Sequence, residues 1–203
     1  MGLIVVVAIL AFTLFGSAIL SLSFQNGMAS MKERLGADLM VVPGGYEADV
    51  EAVLVTGKQS YFYFDSSIAR NIEQVEGVSQ ITSQFFLTSL AASCCSTPVQ
   101  LIGYDAATDF VIRPWIAEQY DKGVCEGQIV VGSDVSIEKG NIIRLYNQEY
   151  PVVAQLAKTA TGLDSAVFMN MDTMQSLLDT SHEDGYQFLS DNAGKEPVSR
   201  AFL

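Results

Sequence analysis

Apolar and polar positions divide the chain sharply near residue 24. Met1 to Phe24 holds no charged residue, and its only polar side chains are Thr13, Ser17, Ser21 and Ser23. Hydroxyls of this kind can bond back to a carbonyl one turn earlier, so an apolar helix carries them without an unmet donor. At about 1.5 Å per residue the segment makes a helix of roughly 36 Å, enough to cross a hydrocarbon core of about 30 Å. A core helix of a soluble domain would carry a polar stripe, and this one has none. The competing reading, a cleaved signal peptide, asks for a basic lead and a shorter apolar stretch, and neither is present. A transmembrane helix over 1–24 is therefore expected. Met28, Met31 and Leu35 then fall at i, i+3 and i+7, which extends the helix as a stalk to the stop at Gly36. Lys32 and Arg34 just past the span favour a cytoplasmic side, but with no residues ahead of the span to compare, charge leaves the orientation open.

Past the stalk the pattern predicts short elements. Ala37 to Val42 reads as a buried strand closed by Pro43-Gly44-Gly45. The acidic cluster Glu47, Asp49 and Glu51 reads as a solvated loop, and Ser60 to Phe64 as a β-rich, aromatic stretch. Asp65-Ser66-Ser67 offers cap oxygens for a helix with Ile68, Ile72 and Val75 on one face and Gly77 behind it. Val78 to Leu90 reads as a long strand, paired with Pro98 to Asp105, where Gly103 bends the end. That order suggests an α+β layer with helices on one face.

From Phe110 the texture changes. Short strands are expected at 129–132, 141–146, 150–154 and 166–169, separated by turns at 138–141, 147–149 and 159–164. No helix is expected between them, so the stretch reads as a small barrel or ribbon. A last helix is predicted from Asp172 as its cap, with Met174, Leu177 and Leu178 inward. Residues 181–197 read as a polar loop, and 198–203 as the beginning of another strand.

Composition narrows the functional classes. The chain has 203 residues, 11 basic and 23 acidic, for a net charge of −12, and a mean hydropathy of +0.28. Such an acidic balance excludes the basic face that nucleic acid demands. The apolar content excludes disorder. His182, the single histidine, stands in a polar loop without a second histidine or a CxxC to complete a zinc site or a catalytic triad. Cys94, Cys95 and Cys125 stay open between free thiols and a pair joining Cys125 to one of the adjacent two. Gly57-Lys58-Gln59-Ser60 imitates a phosphate loop, but the position of its first glycine holds Ala52 and Ser60 is displaced by one. Tyr61, Phe62, Tyr63, Phe64, Phe85 and Phe86 suit core packing or an apolar ligand cleft. No catalytic, cofactor-binding or metal-binding residue is assigned.

At Arg34-Leu-Gly-Ala-Asp-Leu-Met-Val-Val-Pro43 the sequence resembles the MacB-like extracytoplasmic core domain of FtsX-like ABC transporter permeases. The likeness continues through Val75-Glu-Gly-Val78, Gln84-Phe-Phe-Leu87, 98–105, Thr108-Asp-Phe110, Pro114-Trp115, 129–133 and Thr161-Gly-Leu-Asp-Ser-Ala-Val-Phe-Met169. The resemblance implies an α+β fold: an α/β core subdomain of βαβ type over 37–110 and 166–203, with an inserted β-rich subdomain over 111–165. It implies a cell-membrane location with residues 25–203 extracytoplasmic, despite Lys32 and Arg34. It also implies that the chain is the N-terminal part of a permease with further spans behind it. The implied partners are membrane lipid, a separate cytoplasmic ABC ATPase and a second permease subunit, in a homodimer or heterodimer. The implied role is transmission of motion rather than catalysis. The alternative is a membrane-tethered ligand-binding or sensor domain using the aromatic cluster.

Overall fold

The structure, a computed structural model, describes residues 2–35, 37–42, 44–60, 67–89, 95–137, 140–184 and 201–202, with the backbone alone for 26–35, 182–183 and 201–202. Two units are formed, Met1–Gly36 and Ala37–Leu203. The first is one helix, α1 (Gly2–Leu35). Thr13 and Ser17 donate to the carbonyls of Leu10 and Leu14 at 3.0 and 2.9 Å, which satisfies their hydroxyls within the helix. Gly2–Gln25 has a mean hydropathy of 2.8 and is unburied along its length. A helix apolar on every side needs lipid or another chain to cover it. At 34 residues and about 1.5 Å each, it reaches roughly 50 Å, well past a bilayer core.

The second unit is a mixed sheet with helices, an α+β fold. Its strands are β1 (Ser83–Thr88), β2 (Gln100–Tyr104), β3 (Ile129–Val131), β4 (Ile142–Leu145), β5 (Gln148–Gln155), β6 (Ala166–Asn170) and β7 (Ala201–Phe202). They lie in the order β4-β5-β3-β6-β2-β1-β7. The pairs β1/β2, β1/β7, β3/β6 and β4/β5 are antiparallel, and β2/β6 and β3/β5 parallel. The helices are α2 (Glu47–Thr56), α3 (Ser67–Glu73), α4 (Ile112–Ala117) and α5 (Met171–Glu183).

Strand periodicity sorts the core into two faces. Phe85, Leu87, Leu101, Ile129, Val131, Val167 and Met169 meet Met174, Leu177 and Leu178 of α5 and the β4/β5 residues Ile143, Leu145 and Tyr150. Phe86, Ile102, Tyr104, Val130 and Phe168 meet Val50 and Val53 of α2 and Ile112, Trp115 and Ile116 of α4. Helices thus cover both faces, not one as expected, because the central strands are apolar at odd and even positions alike. Gly103 does not bend its strand: a Cβ there would stand 3.2 Å from Met174 Cβ, so the glycine lets α5 settle close to the sheet.

Other expectations are corrected. Ala37–Val42 is no strand. It makes a single bridge at Val41, Leu39 is 72% exposed, and only Met40 and Val42 turn onto the α2 face of the core. The strand expected over 78–90 is cut to Ser83–Thr88. The helix expected from 65 to 75 spans only Ser67–Glu73 with no buried side chain, because Val75 lies outside it and exposed.

The barrel or ribbon does not stand apart. β3 is hydrogen-bonded to β6 and β5, and residues 111–165 also carry α4, so the sheet runs across both proposed boundaries. The β4/β5 turn is Tyr146-Asn147, with φ of +49 and +66. Two left-handed residues make the tight hairpin turn that matches strand twist, which puts the turn one residue earlier than expected. α5 starts from Asn170, not Asp172: Asn170 Oδ1 accepts the Thr173 N–H at 2.8 Å and its hydroxyl at 2.6 Å. α5 also runs to Glu183, into the segment expected as loop. β7 answers the strand expected near the end. The aromatic stretch 61–64, the cap residues 65 and 66, Cys94, and positions 185–200 lie outside the described residues.

Candidate functional site

The acidic cluster read as a loop opens α2. Glu47 and Asp49 stand in the first turn, where negative charge complements the helix dipole. Gly57 closes the helix in the left-handed region (φ 71), donating to Val53 O, while Lys58 N–H bonds Ala52 O. These two signals, acids after Pro43-Gly44-Gly45 and a glycine ten residues on, could have revealed the helix from sequence. The cap also removes the phosphate-loop resemblance on physical grounds. Gly57-Lys58 sits at a helix C-terminus, whose partial charge repels anions.

α2 is fastened to the sheet layer by backbone contact. A Cβ on Gly162 would lie 1.9 Å from Val53 O and 2.4 Å from Gly57 N. A Cβ on Gly132 would lie 2.3 Å from Asp164 O. Only glycine permits such approach. Just beyond α2, the Ser60 N–H donates to Gln100 Oε1 at 2.9 Å. Gln100 is buried on β2, and its Nε2 donates to Leu87 O at 2.8 Å. One side chain thereby ties the exit of α2 to β1 and β2.

The 158–164 loop that carries Gly162 is organised by Asp164, which is 2% exposed. Both oxygens are occupied. Oδ1 accepts from the Thr159 N–H at 2.8 Å and its hydroxyl at 2.7 Å, and Oδ2 accepts the Ala160 N–H at 2.7 Å. Burial alone would raise its pKa. The donors from Thr159 and Ala160, helped by the charge of Lys158, outweigh burial and hold it below the ordinary value. Lys158 itself pairs with Asp134 at 3.1 Å on the exposed side.

A second buried carboxyl closes the β2–α4 connection. Asp109, 1% exposed, accepts the N–H groups of Val111, Ile112 and Arg113 on Oδ1 at 3.1, 2.7 and 2.6 Å. Among the described residues its Oδ2 has no hydrogen-bond partner, nor has the Gln84 Nε2 or the Trp115 Nε1. Burial dominates and raises the Asp109 pKa, against the three amides and the nearby Gln84 amide. Burial, then the Asp109 charge, also pushes Tyr104 up to about 12. Trp115 rests edge-on against Phe168, centroids 5.4 Å apart, which anchors α4 to β6.

The structure does not bring the other singled-out residues together. His182 lies near the end of α5, with its side chain outside the described residues. Cys95 is buried and Cys125 exposed. Cys95 Sγ accepts the Tyr146 N–H at 3.4 Å. Ser96 N–H bonds Arg144 O at 2.8 Å, and the Arg144 N–H returns to Ser96 Oγ at 3.1 Å. The β1–β2 loop thus satisfies backbone groups of the edge strand β4. Phe85 and Phe86 are both 2% exposed, one on each face of the sheet, so they line the core and no shared cleft. Among the described residues no three His, Cys, Asp or Glu side chains could share a metal ion. An open groove of about 330 Å³ is lined by Glu126, Gln148, Glu149, Tyr150, Thr173 and Ser176. What the arrangement provides is a stiff apolar helix and a body whose first helix is clamped to its sheet.

Comparison with known proteins points the same way. The family model described as the MacB-like periplasmic core domain matches residues 2–201. No curated protein matches the chain.

Proposed function

This chain belongs to the MacB-like periplasmic core domain family, of the MacB- and FtsX-like ABC transporter permeases, and on that premise we propose that it works as a permease subunit that passes motion to an extracytoplasmic body. ATP hydrolysis by a separate cytoplasmic ATPase tilts or shifts the membrane helix, and residues 25–203, outside the membrane, respond. The outcome is export of a substance or mechanical control of a partner outside. The reading assigns no catalytic, cofactor or metal residue to this chain, and it takes a second permease subunit as the working partner.

One observation carries it: α1 continues as a single helix to Leu35, ten residues beyond the apolar span ending at Gln25. A continuous helix transmits tilt along its axis, whereas a Gly/Ser linker absorbs it as coil. The match of one family model across both the apolar helix and the body supports treating them as parts of one device. The test is a flexible Gly/Ser insertion after Met31 in the full permease with its ATPase. ATP-dependent export should be lost while the complex still assembles, and unaffected export would refute the proposal.

A further inference from the structure

We infer that residues 40–42 and 44–60 form the receiving arm of the body, and that Gly162 and Gln100 are the positioning residues that make this arm move with the sheet as one piece. The inference rests on the coupling role proposed above and deepens it. Four attachments lie in sequence along the first part of the chain after the helical unit. Met40 and Val42 pack against the core face that holds Phe86, Ile102 and Tyr104. Val50 and Val53, at i and i+3 on α2, are buried in the same face, 4% and 2% exposed. The end of α2 meets Gly162 in backbone contact, and Ser60 is held by Gln100.

These attachments differ in stiffness. Apolar packing of Met40 and Val42, both only half-buried, tolerates sliding, since dispersion contacts are individually weak and non-directional. The Gly162 contact tolerates none. Val53 O and Gly57 N belong to the helix backbone and its cap, so they cannot rotate away as a side chain would. Gln100 is directional in the same sense. Its Oε1 faces the arm, and its Nε2 bonds the carbonyls of Leu87 at 2.8 Å and Leu101 at 3.3 Å on the two adjacent strands. Displacement of the arm therefore loads β1 and β2 directly, and through β2 its neighbour β6. The Thr161-Gly162-Leu163-Asp164 segment completes the path, because Asp164 fixes the loop that presents Gly162.

Spin-label distances in the full permease–ATPase complex, with native cysteines replaced by serine, test this. One label pair is placed at the exposed positions Val55 on α2 and Asp179 on α5. A second pair, at Ser23 and Asp179, reads motion of the body against the membrane helix. Without nucleotide and with ADP–vanadate trapped, the Val55–Asp179 distance should remain one narrow peak while the Ser23–Asp179 distance shifts. In Gly162→Ala, and in the milder Gln100→Met should the first variant fold poorly, the Val55–Asp179 peak should broaden and move between the two states. Trp115→Phe, which loosens the other end of the same core face, should leave it narrow. A Val55–Asp179 distance that changes in the unaltered protein overturns the inference, as does a peak that stays narrow in both joint variants. If the Ser23–Asp179 distance is the same in both states while the inner pair stays narrow, the coupling role itself fails, and the inference with it.

Discussion

Two aspartates close two loops at the sheet, Asp164 before β6 and Asp109 before α4, and both are almost fully buried. Each takes at least three short hydrogen bonds. They titrate in opposite directions nonetheless: Asp164 is held below its ordinary pKa and Asp109 is raised above it. The difference lies in the second oxygen. Asp164 has donors on both, and Lys158 stands near. Asp109 accepts its three amides on one oxygen, and among the described residues its Oδ2 has no partner, with the Gln84 side chain nearby. Burial therefore raises the carboxyl's pKa where one oxygen goes unmet, and donors on both oxygens lower it in spite of burial. One end of the domain is tightly specified, by full satisfaction and by glycine contact. The other holds together chiefly by packing of Ile112, Trp115 and Ile116, worth about 1.5–3 kcal/mol for each large apolar side chain buried.

The sharpest way to break this contrast is at the glycine. Gly162→Ala pushes a methyl into Val53 O and the cap of α2, where backbone stands on the other side. A loss of about 3 kcal/mol is expected, the upper part of the range for overpacking. Urea unfolding followed by Trp115, the chain's one tryptophan, measures it. A loss near zero would mean that the seam yields easily. Asp164→Asn comes next, at about 2 kcal/mol at neutral pH, because hydrogen bonds to a charged acceptor are lost and one amide donor is turned toward another. Its cost should shrink on acidification. The wild-type carboxylate contributes stability above 3.8, its ordinary value, and that contribution is lost as pH falls through the lowered folded value. A cost unchanged down to about pH 3 would show that shape, not charge, matters here.

Much of this organisation is readable in the residues. Met1–Phe24 announces itself by a lack of charge, and β1, β2 and β6 by short apolar runs at Phe85-Phe86-Leu87, Leu101-Ile102 and Ala166-Val167-Phe168-Met169. The α5 face is visible in Met174, Leu177 and Leu178. α2 was hidden because only Val50 and Val53 of its ten residues are buried, too narrow a stripe to show a helical period. Ala37–Val42 misled for the opposite reason. Its β-branched pair suits a strand, but only a single bridge forms at Val41, and Leu39 is left 72% exposed. Asp164 and Asp109 look alike on paper, each an acid near a turn. What separates them is Thr159 and Ala160 folding back on one and the core closing over the other, which are contacts that no local pattern encodes. The Gly162 contact with Val53 joins residues more than a hundred positions apart and is equally beyond a local reading.

The smallest expected effect makes the most discriminating comparison. In Asp109→Asn the amide oxygen can still accept from Val111, Ile112 and Arg113, while the uncompensated charge on the other side disappears. At neutral pH the change should therefore stay within about 1 kcal/mol of the parent and can be stabilising, since a buried carboxyl with one oxygen unpartnered is replaced by a neutral group of the same shape. The pH dependence has the reverse sign to that of Asp164. A carboxyl with a raised folded pKa contributes stability below 3.8 that is lost as pH rises through the folded value. The parent should then gain on Asp109→Asn as the solution is acidified from about pH 7 toward about pH 4, over the interval in which only the folded carboxyl holds its proton. Asp164→Asn should close its gap with the parent only on further acidification, as pH falls below 3.8. Two curves bending the same way would mean that Gln84 satisfies Asp109 in solution and that the two ends of the domain are built alike.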